Sequence, residues 1–164
     1  MLPHLDAAYT LARYLTHDAS EAEDATQEAI LRAVRYFHTL RNESGARAWL
    51  LAIVRRECYG RRRKIVETVA FDEVSEHHLV DVAEQPDVAA GRRLLEQRVR
   101  VAVATLPDGL RETLILRELQ QCSYEEIATI TDVPIGTVMS RLSRARTRLA
   151  ASLEGEVTFE EEYG

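Results

Sequence analysis

All-α architecture, with two small helical domains joined by an acidic linker, is the fold class that this sequence predicts. Apolar residues recur every three or four positions in its ordered segments, which is the period of an amphipathic helix. No segment alternates apolar and polar residues as a half-buried strand would. The acidic stretch between the two series of helices has no sustained period and contains Pro86. With 164 residues, the chain can bury one ordinary core or two small ones.

The first domain, assigned to residues 1–65, is predicted to consist of three helices. Ser20, with Glu23 three positions later, has the spacing of a capping box, which satisfies backbone N–H groups at a helix start. The third helix follows the loop Asn42–Gly45, and its apolar first half gives way to a strongly basic end. The predicted helices cover residues 5–16, 21–38 and 46–63.

An acidic linker over residues 66–88 and an acidic tail over residues 154–164 flank the second domain. From Glu67 to Asp87 the linker carries seven acids and no Lys or Arg, a composition that favours a connector with at most a turn or two of helix. The second domain, residues 89–153, is predicted to contain helices over residues 89–105, 108–120, 123–130 and 134–152. Pro107 and Pro134 stand at helix starts, where a missing N–H is tolerated.

The last two of these helices have the pattern of a helix-turn-helix. Ser123 and Glu126 form a second capping-box pattern, and the segment Asp132–Gly136 breaks the helix. The helix that follows has an apolar stripe, which must pack inward, and about a quarter-turn away a polar stripe rich in arginine. Arginine suits DNA binding because its planar fork can bond a guanine edge or a phosphate. The apolar stripe is Val138, Leu142, Ala145 and Leu149, and the polar stripe is Thr137, Arg141, Arg144 and Arg148.

Charge distribution supports DNA binding although the net charge is −6. The acids concentrate in the linker and the tail, whereas the segment Arg55–Lys64 is basic and is interrupted by Glu57 alone among the acids. Cys58 and Cys122 have neither the number nor the spacing of a zinc site, and no catalytic constellation is visible, so we expect no metal, no cofactor and no enzymatic activity. No apolar run reaches the roughly 18 residues that span a bilayer. We therefore expect no membrane insertion and a cytoplasmic location.

These residues resemble the extracytoplasmic-function (ECF) group of the bacterial sigma-70 family, the promoter-recognition subunits of RNA polymerase. The segment Glu21–Glu28 is similar to the family's acidic signature in region 2, and Arg47–Arg55 is similar to its Arg-x-Trp-Leu-x-x-Ile-x-Arg segment. Leu106–Pro107, Leu116–Leu119 and Ser123–Arg146 are similar to region 4. The resemblance covers nearly all residues from about 5 to 153.

In region 2, the resemblance implies a polymerase contact and a contact with the −10 element. Asp24, Gln27 and Glu28 lie in the acidic helix that docks on the clamp helices of the polymerase in this family. The loop Leu40–Ser44 corresponds to the loop that captures a flipped base, and the basic helix end would hold phosphates. The implied −10 residues are Leu40, Arg41, Asn42, Glu43, Ser44, Arg55, Arg56, Tyr59, Arg61, Arg62, Arg63 and Lys64.

Other parts of the resemblance concern the region 2 core, the linker and the −35 element. An Ala-Thr pair at Ala25 stands where a bulky apolar pair is common, which implies a thinner core. The acidic linker matches the segment that threads the polymerase's RNA path in relatives, and a plainly solubilising connector stays an equal alternative. The implied −35 residues are Thr137, Met139, Ser140, Arg141, Ser143, Arg144 and Arg148.

The function that the resemblance implies is that of an ECF-type sigma factor. Such a protein binds core RNA polymerase and promoter DNA, directs initiation at a stress or envelope-response regulon, helps to melt the promoter, and is held inactive by an anti-sigma factor. Two alternatives remain. A sigma mimic that sequesters an anti-sigma factor would not need two basic DNA surfaces, and a stand-alone helix-turn-helix regulator would leave the acidic helix of region 2 unexplained.

Overall fold

A computed structural model describes the backbone of residues 2–16, 18–69 and 90–163, and the side chains of residues 3–16, 18–64 and 90–155. These ranges contain seven α-helices, three short 3-10 helices and no β-strand, which confirms the all-α class. Most of the predicted acidic linker, from residue 70 onward, lies outside the described residues. The α-helices are α1 (Leu5–Leu15), α2 (Ala19–Tyr36), α3 (Ala46–Val69), α4 (Ala90–Ala104), α5 (Asp108–Glu118), α6 (Tyr124–Thr131) and α7 (Ile135–Tyr163).

Two helices extend well beyond their predicted ends, whereas the other bounds agree to within two residues or so. We predicted that the third helix ends at residue 63, but α3 continues to Val69 because no proline interrupts this stretch. The last helix, predicted to end at residue 152, continues to Tyr163. Gly155 lies within it, since one glycine costs a helix about 1 kcal/mol and does not end it.

The start of α2 differs from the sequence prediction. We predicted Ser20 as the N-cap, with Glu23 completing a capping box, and this prediction is wrong. The N-cap is Asp18, whose backbone is extended and whose carboxylate oxygen Oδ1 accepts a hydrogen bond of 2.7 Å from the Glu21 N–H. Ser20 is instead an exposed residue in the first turn. An aspartate caps this end well because its negative charge also interacts favourably with the helix dipole.

Helices α1 to α3 form an N-terminal module and α4 to α7 form a C-terminal module, and the two modules share one continuous cluster of buried apolar side chains. Leu11, Leu50 and Leu51 are fully buried on the N-terminal side. Leu116 and Ile127 are fully buried on the C-terminal side. Helix α1 packs against α5, and α3 packs against α6, so the cluster passes from one module to the other through these pairs.

Helix α2 buries only small side chains, as the thinner core implied by the resemblance requires. Its buried residues are Ala22, Ala25, Thr26, Ala29 and Ala33, which allow it to lie close against α3. Its larger apolar side chains point outward, with Leu31 55% and Val34 60% exposed. The helix therefore stabilises the module through close contact of small residues and presents bulky apolar groups to its surroundings.

The N-cap of α2 can be tested by alanine substitution. We expect Asp18→Ala to lower the free energy of unfolding by about 1 kcal/mol, because the Glu21 N–H would lose its acceptor. We expect Ser20→Ala to change it by less than about 0.5 kcal/mol, because Ser20 is exposed and outside the cap. Urea unfolding followed by circular dichroism measures both values, and a larger cost for Ser20→Ala than for Asp18→Ala would contradict this assignment.

Candidate nucleic-acid interface

Helices α6 and α7 form the predicted helix-turn-helix. Ser123 Oγ accepts a hydrogen bond of 3.1 Å from the Glu126 N–H, while the Glu126 carboxylate accepts one of 2.9 Å from the Ser123 N–H, so the predicted capping box is confirmed. Helix α6 ends at Asp132, which adopts the left-handed conformation with φ of 56°. A short polar aspartate tolerates this conformation better than most residues do. The chain is thereby redirected into α7.

Helix α7 is anchored by its apolar stripe and presents its polar stripe outward. Val138, Leu142 and Ala145 are buried and Leu149 packs partly against the core, as predicted. Most of the predicted −35 residues lie on the open side of this helix. Met139, Ser140, Ser143, Arg144 and Arg148 are exposed, and Thr137 is half-buried.

Arg141 differs from its neighbours on the polar stripe because it reaches back across α5. Its guanidinium Nη1 lies 3.8 Å from a carboxylate oxygen of Glu112, and its side chain is 25% exposed. The guanidinium lies over Gly109, where a Cβ atom would stand 3.1 Å from the Arg141 Cζ atom. Gly109 therefore provides the space through which Arg141 approaches α5.

The basic end of α3 is also turned toward α5. Arg55 donates hydrogen bonds of 2.6 and 3.2 Å to the two carboxylate oxygens of Glu112, and the Tyr59 hydroxyl donates one of 2.9 Å to the same carboxylate. Arg62 donates a hydrogen bond of 2.8 Å to Asp108. Three of the predicted −10 residues thus bind acids of the C-terminal module. The remaining basic residues of this cluster differ, since Arg56, Arg63 and Lys64 are exposed and Arg61 lies 3.9 Å from the Asp24 carboxylate.

Glu112 is the functional residue that our sequence analysis missed. Its side chain is only 2% exposed, and it lies in the largely buried stretch of α5 from Leu110 to Leu116, which also contains the half-buried Arg111 and the buried Thr113. A lone acid within a buried run is the sequence signal that could have identified it, because a buried carboxylate needs partners. The sequence could not name those partners, since they lie more than 25 residues away along the chain, on α3 and α7.

The electrostatics of this cluster favour its charged, hydrogen-bonded form. Burial opposes the charge of Arg55, but the hydrogen bond and negative charge of Glu112 outweigh it, so the pKa of Arg55 is raised. Burial and the charge of Glu112 also raise the pKa of Tyr59, which keeps its hydroxyl protonated as a donor. The Arg55 guanidinium stands 5.0 Å from the centre of the Tyr59 ring, a cation–π distance. The three side chains therefore stabilise one another.

A second polar contact joins the modules at the other end of the α3 face. Arg47 donates a hydrogen bond of 3.0 Å to the Gln120 side-chain oxygen, and its Nη1 atom lies 3.8 Å from the Cys122 sulfur. Gln120 is 4% exposed and Arg47 is half-buried, so this contact lies partly buried between the modules. Burial is the main reason why the pKa of the Cys122 thiol is raised, although the charge of Arg47 opposes that rise.

The residues predicted to contact polymerase lie on the outward face of α2. Asp24 and Gln27 are exposed and Glu28 is half-buried. Leu31 and Val34 continue the same stripe toward the end of the helix, because residues three and four apart share a helix face. The outward face therefore combines acids, an amide and exposed apolar groups.

The predicted base-binding loop follows α2. It begins after the 3-10 turn Phe37–Thr39 and contains a second 3-10 turn over Glu43–Gly45. The Asn42 side chain accepts a hydrogen bond of 3.1 Å from the Ser44 N–H and so shapes the loop. Leu40 is half-buried, whereas residues 41–44 are exposed, so the loop stands at the surface of the molecule.

The described residues contain neither a metal-binding cluster nor a membrane-spanning helix. No group of three or more His, Cys, Asp or Glu side chains in these ranges is arranged to hold a metal ion. No helix in the described part of the chain is both long enough and apolar enough to cross a membrane.

An all-helical chain with a capped helix-turn-helix and two arginine-rich helices is typical of the class of helical transcription regulators. Residues 2–66 match the family model for Sigma-70 region 2, and residues 96–149 match that for Sigma-70, region 4. The chain therefore belongs to the sigma-70 family of RNA polymerase sigma factors. Relatives named ECF sigma factors, to which it is 33–34% identical, show that it belongs to the ECF group.

Individual relatives agree with this assignment. The chain is 37% identical over 147 residues to the RNA polymerase sigma-H factor of Pseudomonas aeruginosa, covering 84% of this chain and 76% of that protein. It is 34% identical over 142 residues to the ECF RNA polymerase sigma factor EcfG of Rhodopseudomonas palustris, covering 85% and 75%. The fold is similar, with a TM-score of 0.80, 31% identity and 93% coverage of both chains, to the sigma factor RpoE of Bartonella quintana, solved in complex with the anti-sigma factor NepR.

The buried thiol of Cys58 on α3 should make the free energy of unfolding depend on pH in the alkaline range. Burial, aided by the charge of Glu57, raises the pKa of the Cys58 thiol from its ordinary value of 9.0 to about 12. The unfolded chain therefore releases this proton at a lower pH than the folded chain does. The stability that the neutral thiol contributes is complete below pH 9 and is lost as the pH rises toward 12, by about 1.4 kcal/mol per pH unit.

Comparison with Cys58→Ala isolates this contribution, because alanine does not titrate. The difference in free energy of unfolding between the wild type and this variant, measured by urea unfolding at a series of pH values, should be constant below pH 9 and should shrink above it. A difference that stays constant through this range would mean that the thiol titrates normally in the folded protein.

Proposed function

We propose that this protein binds core RNA polymerase, directs it to promoters and helps to melt the DNA, acting in the cytoplasm without catalysis of its own. The observation that carries this proposal is the presence of both sigma regions in family order, each with a basic helix suited to DNA. Region 2 would occupy residues 1–65 and region 4 residues 89–153, joined by the linker over residues 66–88 and followed by a tail over residues 154–164. The promoters served would belong to a stress or envelope-response regulon, as the resemblance to the ECF group implies.

The outward face of α2 is the proposed polymerase-binding surface. Asp24, Gln27 and Glu28 supply the polar contacts, and the exposed Leu31 and Val34 supply apolar area beside them. Exposed apolar patches rimmed by polar residues are typical of protein–protein contacts. This surface faces away from the small-residue face that packs on α3, so a partner could bind it without disturbing the core.

The loop over residues 40–44 and the basic end of α3 are proposed to bind the −10 element. The loop's exposure would allow a flipped base to enter, and Asn42 already has an ordered side chain there. Arg56, Arg63 and Lys64 are exposed at this end of the helix, whereas Arg55, Tyr59 and Arg62 would first have to leave the acids of α5 to reach phosphates.

The outward stripe of α7 is proposed to read the −35 element. Ser140, Arg144 and Arg148 are exposed on this helix, while the buried apolar stripe fixes its orientation. Recognition helices bind in this way, with one face anchored to the module and the other in the major groove. Arginine contacts to phosphate supply affinity that falls with salt, and contacts to base edges supply roughly 1 to 3 kcal/mol of discrimination each.

An anti-sigma protein is a further proposed partner. The Bartonella quintana sigma factor of similar fold was solved with such a protein. This observation also keeps the decoy function as a second candidate, since a sigma mimic would bind the same partner. The exposed basic residues on both α3 and α7 favour the sigma factor, because a decoy gains nothing from DNA contacts.

Run-off transcription tests the proposal. Purified core polymerase with the wild-type protein should produce specific transcripts from a library of genomic promoters. The double variant Arg144→Ala, Arg148→Ala should reduce them at least tenfold, because each lost phosphate or base contact costs about 1 kcal/mol or more. Arg146→Ala is the matched control, since Arg146 lies on the same helix, is exposed and pairs with Glu118 instead.

The outcomes separate the candidates. Transcripts that depend on Arg144 and Arg148 but not on Arg146 support the sigma factor. Binding to an anti-sigma protein without any transcript, on any template, would contradict it and favour the decoy.

A further inference from the structure

We infer that α5 carries an internal substitute for the DNA backbone, and that the chain is thereby closed against DNA before any partner protein binds it. The substitute is the acidic stripe, defined as Asp108 and Glu112, one helical turn apart on α5. This inference rests on the proposed function, because it concerns the arginines that are proposed to bind promoter DNA.

In every polar contact described above between α3 and the C-terminal module, the α3 side chain is the hydrogen-bond donor. Arg55, Tyr59 and Arg62 share one face of α3, since they are four and three residues apart. Each donates to the acidic stripe, at distances between 2.6 and 3.2 Å. A guanidinium group binds a carboxylate and a phosphate in the same way, through two parallel N–H donors. The acidic stripe therefore occupies the donors of α3 that would otherwise bind DNA phosphates.

Glu112 also engages the second proposed DNA surface. The Arg141 guanidinium of α7 lies 3.8 Å from the carboxylate that binds Arg55, and Gly109 makes this approach possible. One buried carboxylate thus contacts one arginine from the proposed −10 surface and one from the proposed −35 surface. Withdrawal of either arginine toward DNA would leave Glu112 with fewer partners in a buried position.

Because the contact is buried, it favours two distinct states, one with the modules in contact and one with the modules apart. Exposed ion pairs contribute little, but removal of one partner from a buried pair leaves an uncompensated charge and is strongly destabilising. Glu112 is 2% exposed and Arg55 23% exposed, so their pair belongs to the second class. A hollow of about 340 Å³ lies beside the pair, lined by residues of both modules that include Tyr59 and Arg141. The modules must therefore separate if Arg55 and Arg62 are to meet phosphates, because their acidic partners lie on the other module.

Substitution of the acid tests the inference without polymerase. In Glu112→Gln, Arg55 loses its counter-charge across the module boundary in the closed state, whereas in the open state water solvates Arg55 in the variant and in the wild type alike. Arg141 belongs to the same module as Glu112, so its loss of this contact does not distinguish the two states. We expect a larger radius of gyration by small-angle X-ray scattering. We also expect about tenfold tighter binding of a fluorescein-labelled single-stranded DNA of random sequence, measured by anisotropy, because the apparent affinity rises with the fraction of open molecules. A tenfold change corresponds to about 1.4 kcal/mol.

Glu118→Gln is the matched control. It removes the same charge from the end of the same helix, but Glu118 is exposed and pairs with Arg146 within the C-terminal module. It should keep the wild-type radius of gyration and raise DNA affinity only slightly through net charge. Equal radii and equal affinities for the wild type, Glu112→Gln and Glu118→Gln would overturn the inference.

A second variant covers the case in which Glu112→Gln fails to fold, as judged by loss of its helical circular dichroism. Asp108→Asn removes the partner of Arg62 at a half-buried position outside the core, so it should fold, and it should open the chain to a smaller extent. Wild-type radius and affinity in this variant would then overturn the inference. A different result would contradict the proposed function and leave this inference intact. In that case the open variants would still bind DNA more tightly than the wild type, but run-off transcription with the wild type would give no product.

Discussion

A carboxylate buried between two modules constrains the whole arrangement of this chain. Glu112 is almost inaccessible to water, so it requires donors, and it obtains them from α3 and α7 together. Apolar packing of α1 against α5 brings the modules into contact, but such packing is non-directional. The hydrogen bonds to Glu112 supply the direction, because they require Arg55 and Tyr59 of α3 to reach the same carboxylate of α5 together.

The two faces of α2 show how the same chain keeps a binding surface available while its arginines are engaged. Four alanines and one threonine form the buried face, which lets α2 lie close to α3. The bulky apolar side chains that would ordinarily fill a core are left outside, beside the acids of the first half of the helix. The proposed polymerase surface is therefore open in the arrangement in which part of the proposed DNA surface is closed.

Local patterns in the sequence predicted the helices and the helix-turn-helix, but they could not predict which side chains pair across long distances in the sequence. The capping box at Ser123 and the buried stripe of α7 depend on residues three or four apart, so the pattern contains the whole interaction. At α2 two adjacent patterns competed, and Asp18 rather than Ser20 became the cap. The pairing of Arg55 with Glu112 spans 57 residues, and nothing in the spacing of either residue indicates it. For this reason the sequence analysis placed every arginine from Arg55 to Arg63 on the DNA surface, and the structure gives some of them acidic partners within the chain.

The coupling free energy between Arg55 and Glu112 tests the account's central claim most directly. It is measured by urea unfolding of the wild type, Arg55→Gln, Glu112→Gln and the double variant, combined as a double-mutant cycle. A close buried charge pair that orients the modules should give a coupling of about 1.5 kcal/mol or more, so that the double variant is more stable than the sum of the single losses implies. A coupling near zero would mean that the two side chains contribute independently, and that apolar packing alone sets the arrangement of the modules.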